Sequence, residues 1–302
     1  MEISVVLCTY NREKYLPYVL DSIIKQTLDT SKFEVILINN NSPGNTKEIA
    51  ENFKINFPEI DFLYFEEYAQ GLSFARNLGI KKAKYELITF IDDDAFLKED
   101  FLEKTIKAFY YSNKIIAIGG KILLSYETII PNWENKYLNS LLGYFNPSET
   151  SFNFDSSNYP RGSNMTFKRV IFSEIGGFNT SLGRIGSSLI GGEEKELFDR
   201  IYRLKKYEIK YIPDAIVFHT VPESRTTKEF IKKQALGTGV SERIRTKNES
   251  QVAFLSRLLV ELVKWFGSIV LFFKFLINKK IEKGYMLLFF RFWVSVGLLK
   301  KS

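Results

Sequence analysis

Five short apolar runs, separated by helix-compatible stretches, constrain the fold of this chain more than any other feature. ISVVLC (3–8), FEVILI (33–38), DFLYF (61–65), ELITFI (86–91) and IIAI (115–118) read as strands. Helix-compatible segments lie between them at about 12–26, 46–56, 72–84 and 99–111. Such alternation predicts an α/β fold: βαβ units with right-handed crossovers and a mostly parallel sheet with helices on both faces. Ligands of these sheets bind beyond the carboxyl ends of the strands. The segments after the first four runs read TYNR, NNNSPGN, EEYAQG and DDDA, all polar and turn-forming, as a shared site requires.

With 302 residues, 45% of them hydrophobic, the chain can bury a core for one large domain or two. Its one cysteine, Cys8, excludes an internal disulfide framework and sits in an apolar run, where it reads as a small core residue. The first residues carry neither a basic leader nor a long apolar stretch, so no signal peptide is expected. From 119 to 165 the pattern loosens into Asn- and Ser-rich sequence around Trp133, read as long loops covering one side of the sheet. Regularity returns at 162–178 and in a helix from Glu193, whose Leu197, Ile201 and Leu204 share a face; a short strand, AIVFH, follows at 215–219.

Charge is divided unevenly. Residues 1–224 hold 26 Lys+Arg against 30 Asp+Glu, whereas residues 225–302 hold 16 against 5, a net +11. A basic tail calls for an anionic partner, lipid headgroups or nucleic acid. In 252–277, Arg257, Glu261, Lys264 and Ser268 fall on one helical face and the rest is apolar; in 285–299 only Arg291 and Ser295 interrupt the apolar sequence. Fifteen helical residues reach about 22 Å, short of the roughly 30 Å hydrocarbon core. Both segments are expected to lie in a membrane interface, with NKKIEK and KKS meeting anionic headgroups. The competing reading packs them on the protein body or in a dimer interface. A nucleic-acid partner is not expected, because the aromatics form broad apolar faces rather than alternating with basic residues.

The sharpest chemical signal is Asp92, Asp93 and Asp94, three adjacent carboxylates closing an apolar strand. In extended backbone Asp92 and Asp94 point the same way. Two hard oxygens on one side suit Mg²⁺ or Mn²⁺, especially when a diphosphate completes the shell, and one could instead take a ribose hydroxyl. Helix capping accounts for one aspartate but not for three. Glu193 and Glu194 open a helix behind two glycines, where acids favour the helix dipole or, at the mouth of a cleft, supply a general base. His219, the only histidine, ends AIVFH and offers a nitrogen ligand to the same cation.

In order and spacing these pieces resemble the family 2 glycosyltransferases, enzymes of the GT-A fold that move a sugar from a nucleotide-sugar. The likeness covers about 2–222. SVVLCTYNR resembles the family's opening strand and turn, which implies Thr9, Tyr10 and Arg12 beside the nucleotide. QGLSFARNLGI is similar to the segment ahead of the acidic motif, with Arg76 and Asn77 at donor-lining positions. DDD looks like the DxD motif, implying Asp92 and Asp93 on the donor side and Asp94 as metal ligand, joined by His219 from IPDAIVFH. RGSNMTFKR resembles the acceptor-side segment, with Gly162, Asn164 and Met165. GGEE matches the family's catalytic-base position and makes Glu194 or Glu193 the base, Glu193 also lying toward the acceptor. Asn39 stands where the family usually has a base-contacting aspartate, so UDP is the leading donor nucleotide rather than an assigned one.

The resemblance implies an inverting, divalent-cation-dependent transfer to a glycan or lipid-linked acceptor on the cytoplasmic leaflet. Residues 1–224 would form the catalytic domain, with about 1–95 binding the nucleotide-sugar and 96–224 the acceptor, and residues 225–302 a membrane-associating region. A nucleotidyltransferase of similar fold and a non-catalytic membrane-tethered scaffold are the rival classes; the first would carry a Gly-rich loop that TYNREKY lacks.

Overall fold

The structure, a computed structural model, describes residues 1–183 and 192–300. The chain runs β1 (Ile3–Thr9), α1 (Leu16–Ile24), β2 (Phe33–Asn39), α2 (Thr46–Asn56), β3 (Asp61–Glu66), α3 (Leu72–Lys82), β4 (Leu87–Asp92), β5 (Ala95–Leu97), α4 (Phe101–Ala108) and β6 (Ile115–Tyr126). It continues with β7 (Phe152–Asn153), β8 (Met165–Lys168), α5 (Ile171–Ile175), α6 (Glu193–Arg203), β9 (Glu208–Val221), α7 (Lys228–Glu249), α8 (Gln251–Ile277) and α9 (Ile281–Leu299). The strands form one sheet in the order β3-β2-β1-β4-β8-β6-β9-β5, with β7 alongside β9. Its first half, β3-β2-β1-β4, is parallel, as the βαβ alternation requires. The second half is antiparallel, because β8 returns against β4 and β5 and β7 run against β9.

Buried strands on both faces explain the uninterrupted apolar runs. Alternate residues of β1 divide between two cores. Val5 and Leu7 pack with Leu20 of α1, Phe53 of α2 and Phe101 of α4. Val6 and Cys8 pack on the opposite face with Ala75 of α3, Phe172 of α5 and Leu197 of α6. The parallel register sets Thr9 opposite Asn39 and Cys8 opposite Asp92, which gathers three strand ends at one rim.

Two strands are longer than their apolar runs suggest. β6 continues past Ile118 through Gly119 and Gly120, and β9 begins at Glu208 rather than at Ala215. A Cβ on Gly120 would collide with the carbonyl oxygen of Ala215, so the close approach of β6 and β9 demands glycine there.

The chain divides into two compact units, residues 1–123 with 145–220 and residues 124–144 with 221–302. Residues 124–144, expected to cover the sheet, therefore belong with the C-terminal helices. In that second unit Trp133, Leu138 and Leu142 pack with Ile231 and Ala235 of α7 and with Met286, Leu287, Phe290 and Val294 of α9. Gly239 and Gly297 let α7 and α9 approach closely, since a Cβ on either would meet the other helix's backbone. α8 starts on Ser250, whose hydroxyl accepts from the Ala253 amide at 3.0 Å. The face that carries its polar residues turns inward. Arg257, Glu261 and Ser268 are buried, leaving only Lys264 of the four exposed. The Arg257 guanidinium donates to Glu242 at 2.9 Å and to Glu261 at 3.0 Å, and Arg291 of α9 donates to the other Glu261 oxygen at 3.2 Å. α9 likewise turns its central apolar residues inward, and the KKS end lies partly outside the described residues.

Candidate active site

The site forms where β1, β2 and β4 end, and its first part is an acidic cluster around the triple aspartate. The Thr9 hydroxyl donates to Asp93 Oδ2 at 2.8 Å, and the Tyr10 amide reaches the same oxygen at 3.3 Å. Burial, then repulsion from Asp94, pushes the Asp93 carboxyl up to about 7, against the pull of Arg12 and the Thr9 hydroxyl. Arg12 Nη1 donates to Asp94 Oδ2 at 2.9 Å. Burial works against the Arg12 charge, but Asp94 and Asp93 outweigh it and hold the guanidinium protonated. On its other oxygen Asp94 meets His219 Nε2 at 3.3 Å. The pairing of β5 with β9 creates that contact: Ala95 faces His219 across the ladder, and the Thr220 amide donates to the Asp94 carbonyl at 2.7 Å. Asp94 and His219 are 5% and 7% exposed, so one carboxylate and one imidazole converge in a nearly closed position.

That donor set fits a hard divalent cation only in part. Among the described residues no three His, Cys, Asp or Glu side chains converge on a point. A carboxylate oxygen and an imidazole nitrogen supply two ligands, and a cation there needs the rest from a bound diphosphate and water. Arg12 already pairs with one Asp94 oxygen at 2.9 Å, so a cation there would share that carboxylate with the guanidinium.

The second part is built on Arg76, fully buried at 2% exposure in α3. Its Nη1 lies 3.2 Å from Glu193 Oε1, and its Nη2 lies 3.2 Å from Glu194 Oε1 and 3.6 Å from Asp92 Oδ1. The guanidinium thus bridges the end of β4 to the first turn of α6. Burial works against its charge, but Glu194, Asp92 and Glu193 together outweigh that and favour the protonated form. Below it lies the Phe178 ring, 5.2 Å from the guanidinium carbon. Burial also raises the Glu194 carboxyl above the ordinary glutamate range, with Arg76 pulling it back and Glu193 and Asp92 adding to the rise. Gly162 closes this pocket, since a Cβ there would strike Glu194 Oε1 and crowd Arg76 Nη2. Of the two glycines before Glu193, Gly192 is left-handed at φ 107°, and Gly191 lies outside the described residues.

Several residues with expected site roles are engaged within the protein. Asn77 donates to the Phe178 carbonyl at 2.8 Å and accepts from the Phe178 amide at 2.7 Å, a double clip that leaves its amide nothing for a donor. It acts at one remove by fixing the ring beneath Arg76. Asn164 donates to the carbonyls of Lys121 and Ala215 at 3.1 and 2.9 Å and so ties β6 to β9. Met165 is 0% exposed among Phe90, Phe167 and Phe178, a wall residue and not one that faces an acceptor. Asn39 donates to the Tyr64 hydroxyl at 2.9 Å and accepts from the Ser42 amide at 2.8 Å, so both ends of its amide are engaged. Burial drives the Cys8 thiol up to about 12, which agrees with a core role.

Sequence reasoning passed over Phe178 and the chain Tyr64–Glu66–Tyr68, in which both phenols donate to the Glu66 carboxylate, at 3.1 and 2.7 Å. The β2–β3 register sets Glu66 opposite Asn39, but that pairing of ends is visible only once the strands are aligned.

A mixed sheet whose strand ends gather acids, a buried arginine and one histidine defines a nucleotide-sugar transferase of GT-A type. The sequence model for glycosyl transferase family 2 matches residues 4–176, and the chain belongs to that family; it is a glycosyltransferase. It is 26% identical over 250 residues to a glucosyl-dolichyl phosphate glucuronosyltransferase of Haloferax volcanii, covering 81% of this chain and 77% of that one. To a poly-beta-1,6-N-acetyl-D-glucosamine synthase of Staphylococcus epidermidis it is 29% identical over 224 residues, covering 74% of this chain and 50% of the synthase, so it spans half of that relative's length. Among solved structures it resembles a Pyrobaculum calidifontis mannosyltransferase in complex with GDP-Man and Mn²⁺, with TM-score 0.61, 17% identity, all of this chain covered and 88% of the other. Staphylococcus aureus TarS 1–349 in complex with UDP-GlcNAc gives TM-score 0.57 at 19% identity, covering 79% of this chain and 66% of TarS. At these identities the two structures speak for the fold.

Proposed function

We propose that this glycosyltransferase inverts the anomeric centre as it moves a sugar from a nucleoside-diphosphate sugar, UDP-sugar favoured, to a hydroxyl of a glycan or lipid-linked acceptor. The observation that carries the reading is Arg76, one buried cation held between Asp92 at the end of β4 and Glu194 on α6. It joins a donor side, about 1–95, to an acceptor side, about 96–224. A lipid-linked acceptor is supported by the name of the Haloferax relative, which acts on a glucosyl-dolichyl phosphate. Such an acceptor would be met at the cytoplasmic face of a membrane, where the basic C-terminal helices would hold the enzyme.

Thr9, Tyr10, Arg12 and Asp92 line the donor side, with Asp93 held by the Thr9 hydroxyl. Asp94 and His219 would hold a Mn²⁺ or Mg²⁺ ion, which when bound neutralises charge on the departing diphosphate. Arg12 shares that task from the protein side. Glu194, the base, takes the proton of the acceptor hydroxyl as its oxygen attacks the anomeric carbon from the face opposite the diphosphate. Arg76 favours the ionised form of Glu194 against the effect of burial, and Glu193, fully inside, anchors Arg76.

The roles separate by mutation. Glu194→Gln should remove transfer while leaving donor affinity within about three-fold of wild type. Asp94→Ala should remove transfer and weaken cation-dependent donor binding on the order of ten-fold or more. Equal loss of donor binding in both variants would contradict this division of labour.

A further inference from the structure

α8 is built with its charges inside and its apolar residues outside. Arg257, Glu261 and Ser268 point into the C-terminal unit, whereas Leu255, Leu259, Val263, Phe266, Val270 and Phe273 are exposed, Phe266 at 70%. These six recur at three- and four-residue steps, so they form one ridge along a helix of 27 residues, about 40 Å long. A protein surrounded by water on all sides gains by the reverse arrangement, and a contiguous apolar ridge of this length marks a contact surface. The charges beside it identify the contact. Lys247 precedes the helix, Lys274 borders the ridge next to Phe273, and Lys279 and Lys280 follow its end, all exposed. Residues 225–302 carry a net +11, and no helix among the described residues is long and apolar enough to cross a membrane.

We infer that the outer ridge of α8 beds into the boundary between headgroups and acyl chains in one leaflet of an anionic membrane, with the bordering lysines on lipid phosphates. α9 takes no comparable part, because Met286, Leu287, Phe290 and Val294 are already used in the helix packing of this unit. The buried set of Glu242, Arg257, Glu261 and Arg291 joins the three helices by charged hydrogen bonds. The helices can therefore hold together without the apolar ridge, which is left for lipid. This surface deepens the membrane-bound acceptor of the proposed reaction, while its binding is measured with neither donor nor acceptor present.

The test is co-sedimentation of the full chain with vesicles of phosphatidylcholine alone or mixed in equal parts with phosphatidylglycerol. Wild type should pellet with the anionic vesicles. Leu259→Gln/Phe266→Gln/Phe273→Gln changes only exposed positions, so circular dichroism should be unaltered while the bound-to-free ratio falls on the order of ten-fold or more. Lys274→Gln/Lys279→Gln/Lys280→Gln should weaken binding to anionic vesicles and flatten its dependence on salt. The inference is overturned by equal pelleting of the ridge variant or by wild type that ignores vesicles. It is equally overturned by a wild-type dimer in light scattering that the ridge variant turns to monomer, which would make the ridge a contact between two copies. A failure of sugar transfer would change none of these readings.

Discussion

Arg76 is the residue on which the proposed chemistry turns. A guanidinium at 2% exposure, facing three carboxylates, costs folding energy that only its ion pairs offset. It also sets the basicity of Glu194. Burial raises that carboxyl and Arg76 lowers it, while Glu193 and Asp92 add to the rise. A base must be ionised to accept a proton, so activity is present above its pKa and lost as pH falls through it. Arg76→Gln should therefore move the acid limb of the kcat/KM profile to higher pH, and an unmoved limb would separate Arg76 from the base. Asn77 has a quieter role. Asn77→Ala removes both hydrogen bonds to Phe178 and should cost about 1–3 kcal/mol in a denaturant titration. The gathering of Asp92, Asp93 and Asp94 at a strand end was legible from sequence, because three carboxylates closing an apolar run have few structural uses. The engagement of Asn77 and Asn164 was not, since their partners are backbone groups far off in the chain.

Among the elements, β1, β2 and β4 of the parallel half were legible because each is buried on both faces and reads as an unbroken apolar run. The second part of β6 was hidden by the glycines it needs beside β9, and the first part of β9 by its alternation of buried and half-exposed residues between Glu208 and Ile212. Gly120→Ala tests the first point. The added methyl meets a backbone carbonyl that cannot rotate away, so the variant should lose about 1–3 kcal/mol, seen as a lower Tm. The helical face of Arg257, Glu261 and Ser268 was read correctly as one face, but periodicity cannot tell the inner side of a helix from the outer. A neighbouring helix with matching charge, Arg291 on α9 and Glu242 on α7, decided it.

At the scale of the molecule, the chain couples a unit that carries a GT-A site to a basic helical unit sealed by buried charge. Removing one member of that charge cluster leaves the others buried with less compensation. Glu261→Leu takes the carboxylate from Arg291 and leaves Arg257 with Glu242 alone, and should destabilise the C-terminal unit by about 3–5 kcal/mol. Calorimetry should then show an earlier transition, with nucleotide-sugar binding retained until the later one. The central claim, that Asp94 with His219 holds a cation on a donor diphosphate while Glu194 waits across Arg76, is tested most directly by calorimetric titration. Nucleotide-sugars are titrated into wild type and Asp94→Ala, each with and without Mn²⁺. Binding of one donor that requires Mn²⁺ and disappears in Asp94→Ala is the expected result. Donor binding that is indifferent to both the ion and the substitution would contradict the account.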